Sequence, residues 1–360
     1  MKKATFSLFV LSLLFFLYSC GNGSGVDPHL SEQELEEIRT QTEINLVGRW
    51  KLRRRTIGSK INTADCNVDE IEFINDNTYL LTLSAGEDEE GNTITRIYKG
   101  VFDLDYTETD TSLEINRLVL MGENYTRTTS VPQAGLNATL TDIVLEGEDI
   151  RFNIALEDGV SDFCDTATAI EIAGDKDPVS EPNAPEDSNH IKIQNEWRFI
   201  NITTTVTDEA QSGEGSYSLC NFFAGEYYDR CFDEATESFE EGCPQATTAT
   251  LLFTAYGTYL FSYYDENENL ISTEPGGWKW IVTEVPYTQF KVKTGDDTFE
   301  ETDVAIDVIS LTETTLVLSE RTNEIDQNGN EVELTITYNL QLESLSYQDT
   351  DCPDFSQQSN

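Results

Sequence analysis

The chain has 360 residues and is strongly acidic, with 67 Asp and Glu residues against 22 Lys and Arg residues and a formal net charge of −45. Nucleic acid is excluded as a partner, because binding phosphates requires a basic surface. The same acidic side chains are repelled by an anionic lipid surface and favour solubility. Aromatic residues make up 10% of the chain, which is typical of a folded protein rather than a disordered one.

The N-terminus predicts an export signal with a lipid anchor. Lys2 and Lys3 precede an apolar run that is too short to cross a bilayer comfortably as a helix. The run ends in "LYSCG", residues 17–21, which resembles the lipobox of bacterial lipoproteins. That resemblance implies that residues 1–19 are removed and that Cys20 carries acyl chains such as palmitate. Residue 21 is Gly rather than the Asp that retains some lipoproteins at the inner membrane, so we expect the outer membrane, on its periplasmic or its cell-surface face.

Residues 20–42 form the predicted tether. Its first part, "GNGSGVDPHLSE", is rich in Gly, Ser and Pro, a composition typical of a flexible linker. Ser31 and Glu34 then have the spacing of a capping box. We therefore expect one short helix to begin at Ser31.

Two stretches of the chain begin in the same way. "GRWKLRRRTIG" and "NEWRFINITTT" each place a basic residue after a tryptophan and then continue with alternating side chains. Further on, "FINDNTYLLTLS" from Phe73 aligns without a gap with "FTAYGTYLFSYY" from Phe253, and both have the pattern of a β-hairpin. Residues 141–156 also parallel residues 314–342. We interpret this common order as a tandem duplication.

The duplication sets the predicted domains. Residues 173–190 contain three prolines and many polar residues, as a linker does. The first domain is predicted over 43–172 and the second over 191–353, followed by a tail at 354–360. Each carries about eight short strands with a turn about every ten residues, which is typical of a β-sandwich or an up-and-down barrel. The fold class is therefore all-β.

Gly48-Arg49-Trp50 resembles the Gly-x-Trp signature of lipocalins, in which the tryptophan plugs the closed end of an eight-stranded barrel. With the cysteine and the "IEFINDNTYLLTLS" hairpin that follow, the stretch is similar to the lipocalin-like domains of Gram-negative lipoproteins. The resemblance implies two tandem antiparallel barrels. The second copy departs from the signature, because Asn195 stands where the glycine should be. Core packing accounts for Trp50 and Trp197, so neither is evidence of ligand contact.

The cysteines suggest disulfides, because an exported chain with an even number of them is expected to pair them. Beyond Cys20 they are Cys66, Cys164, Cys220, Cys231, Cys243 and Cys352. Equivalent positions in the two copies suggest the bonds Cys66–Cys164 and Cys243–Cys352, with the remaining two cysteines paired locally. Four cysteines in the second copy permit three connectivities, so this pairing is a hypothesis. No Cys-x-x-Cys pair is present, which argues against a zinc ribbon.

The sequence contains little that predicts chemistry. His29 lies in the tether and His190 in the linker, and neither a nucleophile elbow nor a phosphate-binding loop is present. Glu70 and Glu72 are the carboxylate candidates, and strand alternation places both on the solvent face. The acidic "DQNGNE" stretch lacks the later residues of a calcium loop and is interpreted as a hairpin turn. We therefore expect no catalytic residue, cofactor or metal.

Aromatic side chains give the only candidates for ligand binding. Trp278 and Trp280 share one face of a strand, and Tyr263 lies in the hairpin before it. Such faces either contact sugars and apolar ligands or fill a core. The first hypothesis is a non-enzymatic, membrane-anchored lipoprotein that binds a small apolar or glycan ligand. The alternatives are a structural or adaptor lipoprotein of a cell-surface complex and a carboxylate-dependent hydrolase; the sequence identifies no protein partner.

Overall fold

The computed structural model describes residues 30–54, 67–74, 77–87, 93–109, 112–125, 135–158, 169–179, 183–207, 212–217, 231–233, 238–239, 243–294, 305–325 and 331–343. The helices within these residues are α1 (Glu32–Leu46) and α2 (Asn189–Lys192). The strands of the first half are β1 (Gly48–Arg54), β2 (Asn67–Phe73), β3 (Thr78–Glu87), β4 (Thr93–Glu108), β5 (Leu113–Asn124), β6 (Leu136–Glu146), β7 (Asp149–Asp158) and β8 (Ile170–Lys176). Those of the second half are β9 (Glu196–Thr207), β10 (Ser212–Tyr217), β11 (Phe232–Asp233), β12 (Ser238–Phe239), β13 (Thr248–Phe253), β14 (Thr258–Tyr264), β15 (Leu270–Val282), β16 (Gln289–Thr294), β17 (Ala305–Leu311), β18 (Thr315–Ile325) and β19 (Glu331–Leu342).

Helix α1 begins where its capping box predicts. The Ser31 hydroxyl accepts the backbone N–H of Glu34, and the Glu34 carboxylate accepts the backbone N–H of Ser31 at 2.8 Å. These bonds satisfy donors that a helix start leaves open. Leu35 and Leu46 are the buried residues of the helix, and most of its other side chains are exposed.

Strands β1–β8 form a closed antiparallel barrel in chain order, which we call lobe 1. The barrel closes where β1 pairs with β8, with Trp50 opposite Lys176. Strand β8 runs on to that lysine, beyond the predicted domain end at residue 172. Ile71 and Phe73 on β2 are fully buried and point inward, as their alternation predicts.

Lobe 2 is a second closed barrel, formed by β9 and β13–β19. Strand β9 pairs with β13 at its start and with β19 along most of its length, which closes the sheet. Strand β10 pairs with the later part of β9 and extends the sheet outside the eight-stranded circuit. No strand pairing joins the two lobes within the described part of the chain. The prediction of two tandem antiparallel barrels is therefore confirmed.

The β2–β3 and β13–β14 hairpins have the same register, as the ungapped alignment predicts. Phe73 pairs with Tyr79 in lobe 1, and Phe253 pairs with Tyr259 in lobe 2. Each turn contains a residue with positive φ at the same position, 63° at Asn77 and 82° at Gly257. Asparagine and glycine are the residues that adopt this conformation most readily.

The proposed match between residues 141–156 and 314–342 is wrong by one strand. The earlier segment contains β6 and β7, the sixth and seventh strands of lobe 1, whereas β18 and β19 are the seventh and eighth strands of lobe 2. Alternating strands share one pattern, so a few similar residues do not determine a strand's position in the barrel.

The cysteine pairing in lobe 2 also differs from the hypothesis. Cys231 is bonded to Cys243, with Cα atoms 5.9 Å apart. A local Cys220–Cys231 bond and a Cys243–Cys352 bond are both therefore wrong, because each would need a cysteine that is already paired. The remaining cysteines, Cys66 and Cys164 among them, lie outside the described residues. The prediction paired cysteines at matching positions of the two copies. It failed because Cys243 is bonded to Cys231, which belongs to an insertion in the second copy and has no counterpart in the first.

Candidate functional site

The two barrel tryptophans have equivalent surroundings. Trp50 and Trp197 are fully buried, and each indole N–H donates to the backbone carbonyl four residues earlier. The acceptors are Leu46, at 2.8 Å, and Ile193, at 2.9 Å. Each carbonyl lies at the end of the helix that precedes its barrel, where carbonyls have no partner within the helix. Each tryptophan thus fixes a helix to its own lobe.

The predicted ligand-binding aromatics lie in the core of lobe 2. Trp278, Trp280 and Tyr263 are 3%, 7% and 6% exposed. The Trp278 and Trp280 rings pack edge to face, with centroids 5.4 Å apart. Tyr263 donates to the Glu274 carboxylate at 3.1 Å, and the Trp278 indole donates to the carbonyl of Thr254 at 3.1 Å. In this structure the three side chains contact the protein's own core, and ligand contact by them stays a prediction.

The sequence places His190 in a polar linker, but its side chain is buried against these aromatics. It is 1% exposed, and its Nδ1 accepts the indole N–H of Trp280 at 2.9 Å. The backbone N–H of its neighbour Asn189 donates to the carbonyl of Pro286, which places α2 against lobe 2. Burial lowers the pKa of His190 to about 4, so the ring is neutral near pH 7. The sequence shows only a polar linker here, because the contact depends on residues about ninety positions away.

The outer faces of the equivalent hairpins pack against each other. Outward residues of both lobes form one apolar cluster, which we call the interlobe cluster: Leu80 and Tyr125 from lobe 1, and Leu252, Leu260 and Leu270 from lobe 2, flanked by Ile74 and Tyr264. Leu80 and Leu260 occupy matching positions in the aligned hairpins. An outward leucine in both copies was the sequence signal that these faces are covered.

Glu72 lies at the edge of the interlobe cluster, and its predicted solvent exposure is wrong. The side chain points out of lobe 1 as alternation requires, but lobe 2 covers it and leaves it 1% exposed. Its Oε2 accepts the Thr258 hydroxyl at 2.8 Å, whereas its Oε1 has no hydrogen-bond partner among the described residues. Burial raises the pKa of Glu72 to about 7. The position that matches it in lobe 2 is Leu252.

Two basic side chains near Glu72 are engaged by other carboxylates. Lys99 of lobe 1 donates to Glu196 of lobe 2 at 2.5 Å, and both are largely buried. Arg49 forms an ion pair with Asp177 of its own lobe, at 2.7 and 2.9 Å. It also reaches the Thr258 hydroxyl at 3.4 Å.

A cavity of about 260 Å³ lies between the lobes beside these groups, and we call it the interlobe cavity. Its lining includes Glu72, Ile74 and Lys99 from lobe 1 and Glu196, Thr254 and Tyr256 from lobe 2. Burial, with a smaller contribution from the charge of Glu72, raises the pKa of Tyr256 to about 12. The phenol is therefore neutral and able to donate a hydrogen bond at physiological pH.

Among the described residues, no group of three or more His, Cys, Asp and Glu side chains is arranged to hold a metal ion. None of the helices in those residues is long and apolar enough to cross a membrane. Cys20 and His29 both precede the described part of the chain. Lipidation of Cys20 accordingly stays a prediction.

No protein-family model and no curated protein matches this sequence. Among solved structures, the chain is similar to two crystal structures of the vaccine antigen transferrin binding protein B from Haemophilus parasuis Hp5, a double mutant and a single mutant. The double mutant is 10% identical with a TM-score of 0.19, and the match covers 82% of this chain and 58% of that one. The single mutant is 11% identical with a TM-score of 0.19, covering 80% and 56%. The chain thus spans less than two thirds of the length of those proteins.

Proposed function

We propose that this protein is a non-enzymatic lipoprotein, anchored to the outer membrane through Cys20, that acts as a two-lobe scaffold for a protein partner. The observation that carries the proposal is the interlobe cluster. Leu80, Leu252 and Leu260 are at most 7% exposed although all three point away from their own barrels. Burying such apolar side chains between lobes stabilises one fixed arrangement of the two barrels.

The large side chains inside the barrels support a scaffold more than a ligand carrier. Trp50, Tyr79 and Phe152 occupy lobe 1, and Trp278 and Phe290 occupy lobe 2, all of them buried. Space for a ligand would require these side chains to move out of close-packed positions. Binding through the outer surface requires no such change.

The charge of the chain indicates the chemistry of the partner. With 67 acidic against 22 basic residues, the surface attracts a protein with a basic face and speeds its association. Binding should then weaken as salt is added, because screening shortens the range of the attraction.

Three measurements on the full-length protein test the proposal. Mass spectrometry should find acyl chains on Cys20 in the membrane fraction, and Cys20→Ala should move the protein to the soluble fraction. Spin labels on the exposed residues Val101 of lobe 1 and Ile309 of lobe 2 should give a single narrow distance distribution. An unmodified Cys20, or a broad distribution that spans many distances, would overturn the anchor or the fixed scaffold respectively.

A small apolar or glycan ligand inside lobe 2 is the second candidate, favoured by the concentration of aromatics around Trp278 and Trp280. Tryptophan fluorescence during titration with a fatty acid or an oligosaccharide tests it, with a saturable shift as the expected result. A carboxylate-dependent hydrolase has weaker support. It needs two available carboxylates across a cleft, and Glu196, one of the two glutamates that line the interlobe cavity, is engaged by Lys99.

A further inference from the structure

One wall of the interlobe cavity contains a buried carboxylate that is incompletely hydrogen-bonded. Glu72 lines it, is 1% exposed, and has one carboxylate oxygen without a hydrogen-bond partner among the described residues. Buried polar atoms in folded proteins are nearly always paired, and an exception calls for an explanation. A donor that enters the cavity and reaches this oxygen after a small rotation of the side chain would supply the missing bond.

The charges around the cavity indicate what kind of donor fits. Lys99 is already paired with Glu196, and Arg49 with Asp177. No basic side chain of the described residues donates to Glu72, whose hydrogen-bond partners are the neutral hydroxyls of Thr258 and Thr254. The positive charge of Arg49 acts on Glu72 but is shared with Asp177, so an ionised Glu72 is only partly neutralised and a cationic donor complements it best.

The size and the other walls of the cavity restrict the rest of the ligand. A water molecule takes about 30 Å³ of liquid volume. A cavity of about 260 Å³ therefore has room for a molecule of about eight or nine non-hydrogen atoms. Ile74, Leu252, Ala255 and the Tyr256 side chain provide apolar and aromatic walls. A compact hydrocarbon body attached to the cationic group would contact them.

We propose that the interlobe cavity binds a small organic ammonium ion, whose N–H groups donate to the free carboxylate oxygen of Glu72 and whose hydrocarbon body packs against Ile74 and Tyr256. This site is independent of the scaffold function, since it concerns a small molecule rather than a protein partner. It also differs from the predicted site at Trp278 and Trp280, which lies within lobe 2.

The proposal implies that binding depends on pH. Because the pKa of Glu72 is about 7, the carboxylate is mostly protonated below that pH and mostly ionised above it. The charged and polar groups that face Glu72 or share its cavity are Arg49, Glu70, Thr78, Lys99, Gln194, Asn195, Glu196, Thr254, Tyr256 and Thr258. Of these, Glu70 also has a pKa raised by burial, so a matched variant must separate the two carboxylates.

Titration calorimetry with benzylamine on the full-length protein tests the site, with benzyl alcohol as the neutral analogue of the same shape. Benzylamine should bind with one site per chain, at least about tenfold more tightly than benzyl alcohol, and about tenfold more tightly near pH 8 than near pH 6. Glu72→Gln should weaken benzylamine binding at least about tenfold and remove its pH dependence. Glu70→Gln, a change of equal charge on the same strand, should leave the affinity within about twofold of the unaltered protein.

Three outcomes would overturn the proposal. Equal loss in both variants would indicate general attraction of a cation to an acidic protein, and equal binding of alcohol and amine would indicate an apolar pocket. No heat with either compound would show that the cavity takes neither. Ala255→Leu is a second variant that narrows the cavity without altering Glu72. It should weaken benzylamine binding as well, which keeps the test valid if Glu72→Gln disturbs folding.

Discussion

The two lobes have the same inner architecture but different outer faces. Inside, the hairpins β2–β3 and β13–β14 share their register, their positive-φ residue and their aromatic partners. Outside, Glu72 in lobe 1 stands where Leu252 stands in lobe 2, and Lys99 stands where Pro275 does. These outer faces pack against each other, and two surfaces in contact need complementary side chains rather than identical ones. Packing within each barrel accounts for the inner residues that the lobes share, whereas the contact between the barrels accounts for the outer residues that differ.

The largest test of this comparison removes the equivalent tryptophans. Trp50→Ala and Trp197→Ala should each lower the free energy of unfolding by about 3–5 kcal/mol, because each deletes a fully buried side chain and a hydrogen bond to a helix end. Urea denaturation followed by circular dichroism measures both. Ile309→Ala, at a residue 61% exposed, should change stability by no more than about 0.5 kcal/mol. A tolerated change at one tryptophan would show that the two lobes are not equivalent.

Glu72 tests the difference between the outer faces. Its pKa of about 7 in the folded protein lies above the ordinary 4.5. Its contribution to stability is therefore complete below about pH 4.5 and is lost as pH rises through about 7, by up to about 3 kcal/mol. Glu72→Leu, which copies Leu252, should remove this loss, as measured by urea denaturation between about pH 5 and 8. Glu146→Leu, at an exposed carboxylate, should keep the wild-type pH dependence; if both variants keep it, Glu72 is not the group that titrates.

His190 is buried against lobe 2, and its effect on how stability depends on pH has the opposite sign to that of Glu72. Its folded pKa of about 4 lies below the ordinary 6.5. The stability it contributes is present above about pH 6.5 and is lost as pH falls through about 4, by about 3 kcal/mol. His190→Gln keeps an acceptor for the Trp280 indole and should flatten the loss at acidic pH in the same denaturation experiment. His29→Gln changes the other histidine and should leave it in place; an unchanged acid profile in His190→Gln would contradict the buried neutral ring.

Lys99 gives the smallest expected effect. Lys99→Met should cost about 1–3 kcal/mol, because it leaves Glu196 largely buried without its cation. Arg117→Met breaks an exposed pair with Asp105 on the same barrel and should cost at most about 1 kcal/mol. Thermal unfolding of the two variants compares them directly. Equal costs would mean that the interlobe pair is no better shielded from solvent than the surface pair.

Local patterns in the sequence predicted the inside of each barrel. Alternation placed Ile71 and Phe73 inward, and the capping box at Ser31 and Glu34 set the start of α1. A serine and a glutamate three residues apart, or an apolar residue at every second position, act through neighbours in the chain, so the sequence carries the information directly.

Features that depend on distant contacts escaped prediction. Alternation assigned Glu72 to the outer face correctly, but no local pattern indicates that another lobe covers that face. The burial of His190 and the Cys231–Cys243 bond have the same cause, since each depends on how a linker or an insertion folds back onto a barrel. The leucines at 80 and 260 were the available clue, because outward apolar residues at matching positions of both copies suggest a covered surface.

The hydrogen bond from Trp50 to Leu46 has a mechanical consequence. It attaches α1 to the first barrel, so a force applied at the N-terminal end of the helix reaches the first barrel before the second one. Eleven peptide steps separate Cys20 from Ser31, and a fully stretched chain of that length reaches at most about 40 Å. With acyl chains on that cysteine, a short tether would hold the start of α1 within about 40 Å of the bilayer. A partner of the first barrel would therefore have to bind close to the membrane surface.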